Sequence, residues 1–157
     1  MPREGEPAML APSETCNSTA MRMAARRVTL LYDNALGEAG VRSTQFTILA
    51  AIDAASAAPP TISQLAGTLA MESSALGHTL RPLEREGWVS LAAPDTDRRS
   101  KRLTLTADGA AKVRECEALW QGAQDRFEQV LGAKAAADLR AALLGIANDD
   151  RLVSAGD

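Results

Sequence analysis

A mainly α-helical fold with one small β-hairpin is predicted by three features of this sequence. Apolar residues recur at spacings of three and four through most of its 157 residues, the mark of amphipathic helices. Two such patterns, in TISQLAGTLAMESSALGHTLRPLEREGWV, are parted only by Ala70, Met71 and Glu72, which leaves room for a tight turn and nothing longer. Strict alternation follows once, with Leu103 and Leu105 on one side and Thr104 and Thr106 on the other, the period of a strand.

The length suits one domain with a core of its own. Hydrophobic residues make up 46% and aromatics 3%, so the core is aliphatic, and the abundance of alanine favours helix. The formal net charge of -3 suits solubility and does not announce a polyanionic partner, so a nucleic-acid reading must rest on where the cations lie. Cys16 and Cys116 form no CxxC pair, and no apolar run approaches the roughly 20 residues of a membrane span. A reduced, cytoplasmic protein with no membrane partner is expected. Residues 1–17 are rich in proline and glutamate, lack the basic start and apolar centre of a signal peptide, and read as a mobile tail. Asn17, Ser18 and Thr19 match a glycosylation sequon, read here as a helix cap.

Over residues 19–36, Met21, Ala24, Ala25, Val28, Leu31, Tyr32, Ala35 and Leu36 form one helix face, opposite Arg22, Arg26, Arg27 and Asp33. Gly37 and Gly40 end this helix, and Ser43 is expected to cap a second one carrying Phe46, Leu49, Ala50 and Ile52, closed by Pro59 and Pro60. Thr61 and Gln64 make a capping box for a third, whose inner face is Ile62, Leu65, Ala66 and Leu69. Leu76, Leu80 and Leu83 are the inner face of a fourth, stopped by Gly87. The third and fourth form a helix-turn-helix.

Residues 88–92 read as a strand that pairs with residues 102–106 as a hairpin. Arg98, Arg99, Lys101 and Arg102 crowd its tip and descending arm. A hairpin appended to a helix-turn-helix is a wing. Thr106 then caps a helix running to about Leu131, some 37 Å long, with Val113, Cys116, Trp120, Ala123, Phe127 and Val130 in a 3-4-3-4-3 seam that calls for a partner surface. A last helix, over residues 135–148, offers Leu139, Leu143 and Ile146.

Four short motifs stand in this frame: Thr44-Gln45-Phe46 at the second helix, Leu83-Glu84-Arg85-Glu86-Gly87-Trp88-Val89 closing the fourth, Asp97-Arg98-Arg99 in the wing, and Leu105-Thr106-Ala107-Asp108-Gly109 after it. In this order they resemble the MarR family of bacterial transcriptional regulators, over residues 18–148. The resemblance implies a winged helix-turn-helix lobe at 43–106, flanked by a helical dimerisation region at 18–42 and 107–150, behind the tail at 1–17. The chain departs from the family at His78, where many members carry arginine, and at Pro82, expected to kink the recognition helix.

The implied partner is an operator in double-stranded DNA, bound as a homodimer. Ser73, Ser74, Ala75, Gly77, His78 and Arg81 fall off the leucine face. The two serines suit phosphates or base edges, Ala75 a thymine methyl, and Arg81 phosphate or guanine. By resemblance Arg99 enters a minor groove, Asp97 orients it, and Arg98, Lys101 and Arg102 neutralise phosphates. An ordinary polar face and a solvated turn are the alternatives for these two groups.

Family members commonly release DNA when a small, often phenolic, ligand enters between the dimerisation helices and the DNA-binding lobe. Met21, Arg26, Tyr32, Phe46 and Trp120 are the candidates by resemblance, against a plain core or dimer role. Arg26 is the most informative, since a buried cation needs a carboxylate or an anionic ligand. A redox alternative uses Cys16. In the hydroperoxide-sensing branch of the family the reactive cysteine and its two tyrosines match Ser18, Tyr32 and Ser43 here, so one of these sites is kept. A winged module that binds another protein is a further alternative, though such a wing has no reason to concentrate cations. The chain has one histidine and shows no nucleophile with a base, no phosphate-binding glycine loop and no metal cluster, so no enzyme activity, cofactor or metal is expected.

Overall fold

The computed structural model describes residues 12–93 and 101–154. A short α1 (Pro12–Thr15) leads into α2 (Asn17–Leu36) and a single 3-10 turn (Gly37–Ala39). Next come α3 (Ser43–Ala54), α4 (Ile62–Thr68), α5 (Ser73–Arg85) and a hairpin of β1 (Val89–Ala92) and β2 (Arg102–Leu105). The long α6 (Ala107–Leu131), α7 (Ala133–Ala147) and a 3-10 turn (Asp150–Leu152) complete the described chain. A mainly helical winged helix-turn-helix with flanking helices is therefore what the chain adopts.

Residues 12–15, assigned above to a mobile tail, are helical, and α2 starts at Asn17, two residues before its expected start. The sequon does not cap it. Cys16 is extended at φ -114° and its carbonyl accepts the Ala20 amide at 3.0 Å, so Asn17 already lies inside the first turn. Ser43 is likewise inside α3, and Arg42 holds the cap position with its amide donating to Gln45 Oε1 at 2.9 Å. A more distant group caps the next amide: Ser43 N–H donates to Asp33 Oδ1 at 2.7 Å. The capping box at α4 forms as read, with the Thr61 amide on Gln64 Oε1 at 2.9 Å and the Gln64 amide on Thr61 Oγ1 at 3.2 Å.

The turn between α4 and α5 is closed by Met71 N–H on Ala66 O at 2.9 Å and Ala70 N–H on Gly67 O at 3.2 Å. This paired closure requires a left-handed residue, and Ala70 supplies it at φ 50°. The same closure ends α5 with Gly87 at φ 75°, where Trp88 N–H reaches Leu83 O at 3.0 Å. Helix α5 continues through Pro82 to Arg85.

The hairpin is antiparallel, pairing Val89 with Leu105, Ser90 with Thr104, Leu91 with Leu103 and Ala92 with Arg102. Its strands are each one residue shorter than read, because Trp88 and Thr106 serve the start of α6. Thr106 N–H donates to Trp88 O at 3.0 Å, and Thr106 Oγ1 accepts the Gly109 amide at 3.0 Å. Leu36, Ile48, Leu49, Leu76, Leu83, Leu103 and Cys116 are fully buried in one core, set between α3, α4, α5, the hairpin and the first half of α6.

Much of the partner surface that the α6 seam calls for lies inside the chain. Both α2 and α3 pack on it, burying Val113, Cys116 and Ala123 and half-burying Trp120 and Phe127, while Val130 is 71% exposed. Among the described residues the exposed large apolar side chains are Met21, Met23 and Leu30 on α2, Val130 and Leu131 at the end of α6, Leu139, Leu143, Leu144 and Ile146 on α7, and Leu152 and Val153 after it.

Candidate nucleic-acid interface

Three leucines set the orientation of α5. Leu76, Leu80 and Leu83 are at most 2% exposed, which turns the opposite side of the helix outward. Ser73, Ser74, Ala75, His78 and Arg81 are all exposed, and Gly77 is half-buried at the edge of that face. His78, Arg81, Pro82, Glu84 and Arg85 line a shallow groove of about 600 Å³ along it. The face therefore combines small residues at the start of the helix, which permit close approach, with long donors near its end.

The cationic hairpin divides. Lys101 is exposed. Arg102 is half-buried, and its Nη1 donates to Pro59 O at 3.2 Å and to Gln64 Oε1 at 3.1 Å, so part of the cation expected to face phosphate is used inside the fold. Asp97, Arg98 and Arg99 lie outside the described residues.

Of the five effector candidates the fold unites three. Tyr32, Phe46 and Trp120 line one cavity of about 250 Å³ between α2, α3 and α6, with the Phe46 and Trp120 rings tilted at 42° and 6.4 Å apart. Met21 and Arg26 are not there. Met21 is 39% exposed, and Arg26 is an exposed residue of an open groove with Arg22 and Asp33. Within the single chain Arg26 is therefore not a buried cation, and it stands apart from the cavity that Tyr32, Phe46 and Trp120 share.

A second cavity, of about 350 Å³, was not anticipated. It lies between α2, α6 and α7 and is lined by Val28, Tyr32, Gln124, Phe127, Leu139 and Arg140 among others. The Tyr32 hydroxyl donates to Gln124 Oε1 there. Burial pushes the Tyr32 pKa up, with Arg140 opposing the shift and Glu128 adding to it. Gln124 stands four residues after Trp120 on α6, so the helical period sets the two side by side.

The two thiols differ. Cys16 is exposed and forms no side-chain cap bond at the start of α2. Even so, the nearby Thr19 side chain, the Thr19 and Ser18 amides and the Arg22 charge lower its pKa. Cys116 is buried, and burial raises its pKa. Among the described residues no group of three histidine, cysteine or acidic side chains could hold a metal ion, and no helix is long and apolar enough to cross a membrane.

The sequence model of the MarR family matches residues 41–101. Among solved structures, the M. tuberculosis transcriptional regulator MosR is 32% identical, with 86% of this chain and 96% of that chain covered and a TM-score of 0.73. The same regulator in complex with DNA is 30% identical, covering 89% of this chain and 99% of that one, with a TM-score of 0.78. A mutant MarR from E. coli complexed with operator DNA is 25% identical, covers 88% and 99% of the two chains, and has a TM-score of 0.76. Comparison with curated proteins found no match.

Proposed function

The chain belongs to the MarR family, and from that premise we propose that it is a dimeric, sequence-specific DNA-binding transcriptional regulator, a repressor released from its operator by a small aromatic or anionic effector. The observation that carries this reading is the outer face of α5, where Ser73, Ser74, Ala75, His78 and Arg81 stand clear of the core together. MosR and a mutant MarR, both similar to this chain in fold, are themselves captured on DNA, which supports assigning that face to a major groove. Lys101, with Arg98 and Arg99 by sequence resemblance, supplies phosphate and minor-groove contacts, and Asp97 orients Arg99. The effector enters the cavity of Tyr32, Phe46 and Trp120, at the junction of α2 with the DNA-binding lobe.

A homodimer is supported by the distribution of apolar surface. Among the described residues, the large hydrophobic side chains that stay exposed lie on α2, α6, α7 and the turn after α7, not on the winged lobe, and leaving them in water forgoes several kcal/mol of burial. A second reading, a thiol-sensing regulator that uses Cys16, is supported by the exposure of that thiol and the groups that favour its thiolate.

Binding measured by fluorescence anisotropy, on a duplex that the protein selects from random DNA, tests the α5 assignment. His78→Ala and Arg81→Ala should each weaken binding by roughly 1–3 kcal/mol and relax the base preference at one position per half-site. Unchanged affinity and preference in both variants would remove α5 as the reading helix.

A further inference from the structure

We propose that Arg102 is a positioning residue that bolts the wing to the first helix of the helix-turn-helix, fixing how far the wing reaches relative to α5. Its neighbour Lys101 points to solvent, whereas Arg102 turns inward across a groove lined by Ala58, Pro59, Pro60 and Gln64. A single guanidinium nitrogen, Nη1, donates both to Pro59 O at 3.2 Å and to Gln64 Oε1 at 3.1 Å. The same Gln64 oxygen accepts the Thr61 amide at 2.9 Å, so Arg102 is tied into the capping box that starts α4. The next residue, Leu103, is 0% exposed and donates its amide to Pro60 O at 2.9 Å. The base of the descending arm is thus joined to the α3–α4 connector and to α4 by one backbone and two side-chain bonds.

These bonds have a consequence for recognition. Two elements that must meet DNA together bind best when their relative placement is fixed beforehand, because ordering them on the duplex then costs less. The inference rests on the DNA-binding reading and refines it: Arg102 acts through Gln64 and Pro59, and Lys101 through phosphate. Two adjacent cations should therefore fail in different ways.

The test uses the full chain as wild type, Lys101→Ala, Arg102→Ala and Arg102→Lys, on the duplex that wild type selects and on a scrambled duplex, across a range of salt concentrations. Arg102→Ala should lose about tenfold of its preference for the selected duplex while the salt slope stays as in wild type, since preorganisation and not a phosphate contact is removed. Arg102→Lys keeps the charge but its nitrogen falls a bond length short of both acceptors, so it should lose preference as the alanine variant does. Lys101→Ala should keep the preference and lower the slope by about one.

The proposal is overturned if Arg102→Ala lowers the slope by about one and Arg102→Lys restores it, which would make Arg102 a phosphate contact. It is overturned also if Arg102→Ala matches wild type, or weakens both duplexes equally at unchanged slope, as lost stability alone would do. A wild type without preference for any duplex, together with an unchanged slope in Lys101→Ala, would instead overturn the DNA-binding reading itself.

Discussion

Asp33 belongs to α2 but acts on α3. Its carboxylate accepts the Ser43 amide at 2.7 Å and lies 3.8 Å from Arg42 Nη1, at the positive end of the α3 dipole. The Ser43 side chain, then the Ser43 amide and Arg42, hold its pKa below the ordinary carboxylate range. A carboxyl whose folded pKa is depressed adds stability above its unfolded pKa, and that stability is lost as pH falls through the folded value. Asp33→Asn keeps an acceptor and removes the charge. It should cost roughly 0.3–1 kcal/mol at neutral pH, and urea unfolding should show this difference vanish as pH falls through and below the carboxylate range. A pH-independent difference would mean that the charge contributes nothing.

The cysteines give a second prediction at this scale. Alkylation of the folded protein should modify exposed Cys16 first and reach buried Cys116 only on unfolding. If Cys16 is the sensor, hydroperoxide should release DNA from wild type and leave Cys16→Ser bound. Single residues were the least legible part of the sequence. Lys101 and Arg102 look alike there, and their opposite orientations follow from Gln64 and Pro59, far away in the chain and close in space. The exposure of Arg26 is no more legible, since the pattern of α2 does not say which of its turns another helix covers.

Among the elements, α6 depends on its first turn. A Cβ built on Gly109 would stand 2.0 Å from Trp88 O, a backbone atom that cannot rotate away. Gly109→Ala should therefore destabilise the fold by roughly 1–3 kcal/mol or more. Gly122, in the middle of the same helix, has nothing within 4 Å of its added Cβ, so Gly122→Ala should stabilise by about 0.5–1 kcal/mol. Thermal melting of the two variants checks the contrast, and equal effects would show that Gly109 is not a contact point.

Local signals made most elements readable. Thr61 with Gln64, and Thr106 with Gly109, cap their helices through residues three apart, so the sequence carries the whole motif. The α3 cap escaped because Asp33 lies ten residues before Ser43. The α4–α5 turn was found by its brevity, but its left-handed residue is Ala70, which no glycine marked.

At the scale of the molecule, the seam of α6 shows why assembly is harder to read than fold. Its spacing is the same whether α2 and α3 or a second chain covers it, and the fold buries its first half internally. What remains for a partner is the outer surface of α2, α7 and the end of α6. Sedimentation at micromolar concentration should accordingly give a dimer, and a single species of 16.5 kDa would contradict it.

A two-fold dimer carrying one outward α5 face on each protomer presents two reading helices about one turn of DNA apart. The most direct measurement is selection of bound duplexes from random DNA, followed by footprinting of the enriched sequence. The predicted result is an imperfect palindrome, both half-sites protected, with centres roughly 34 Å apart. No enrichment, protection of one half-site, or direct repeats would contradict the account.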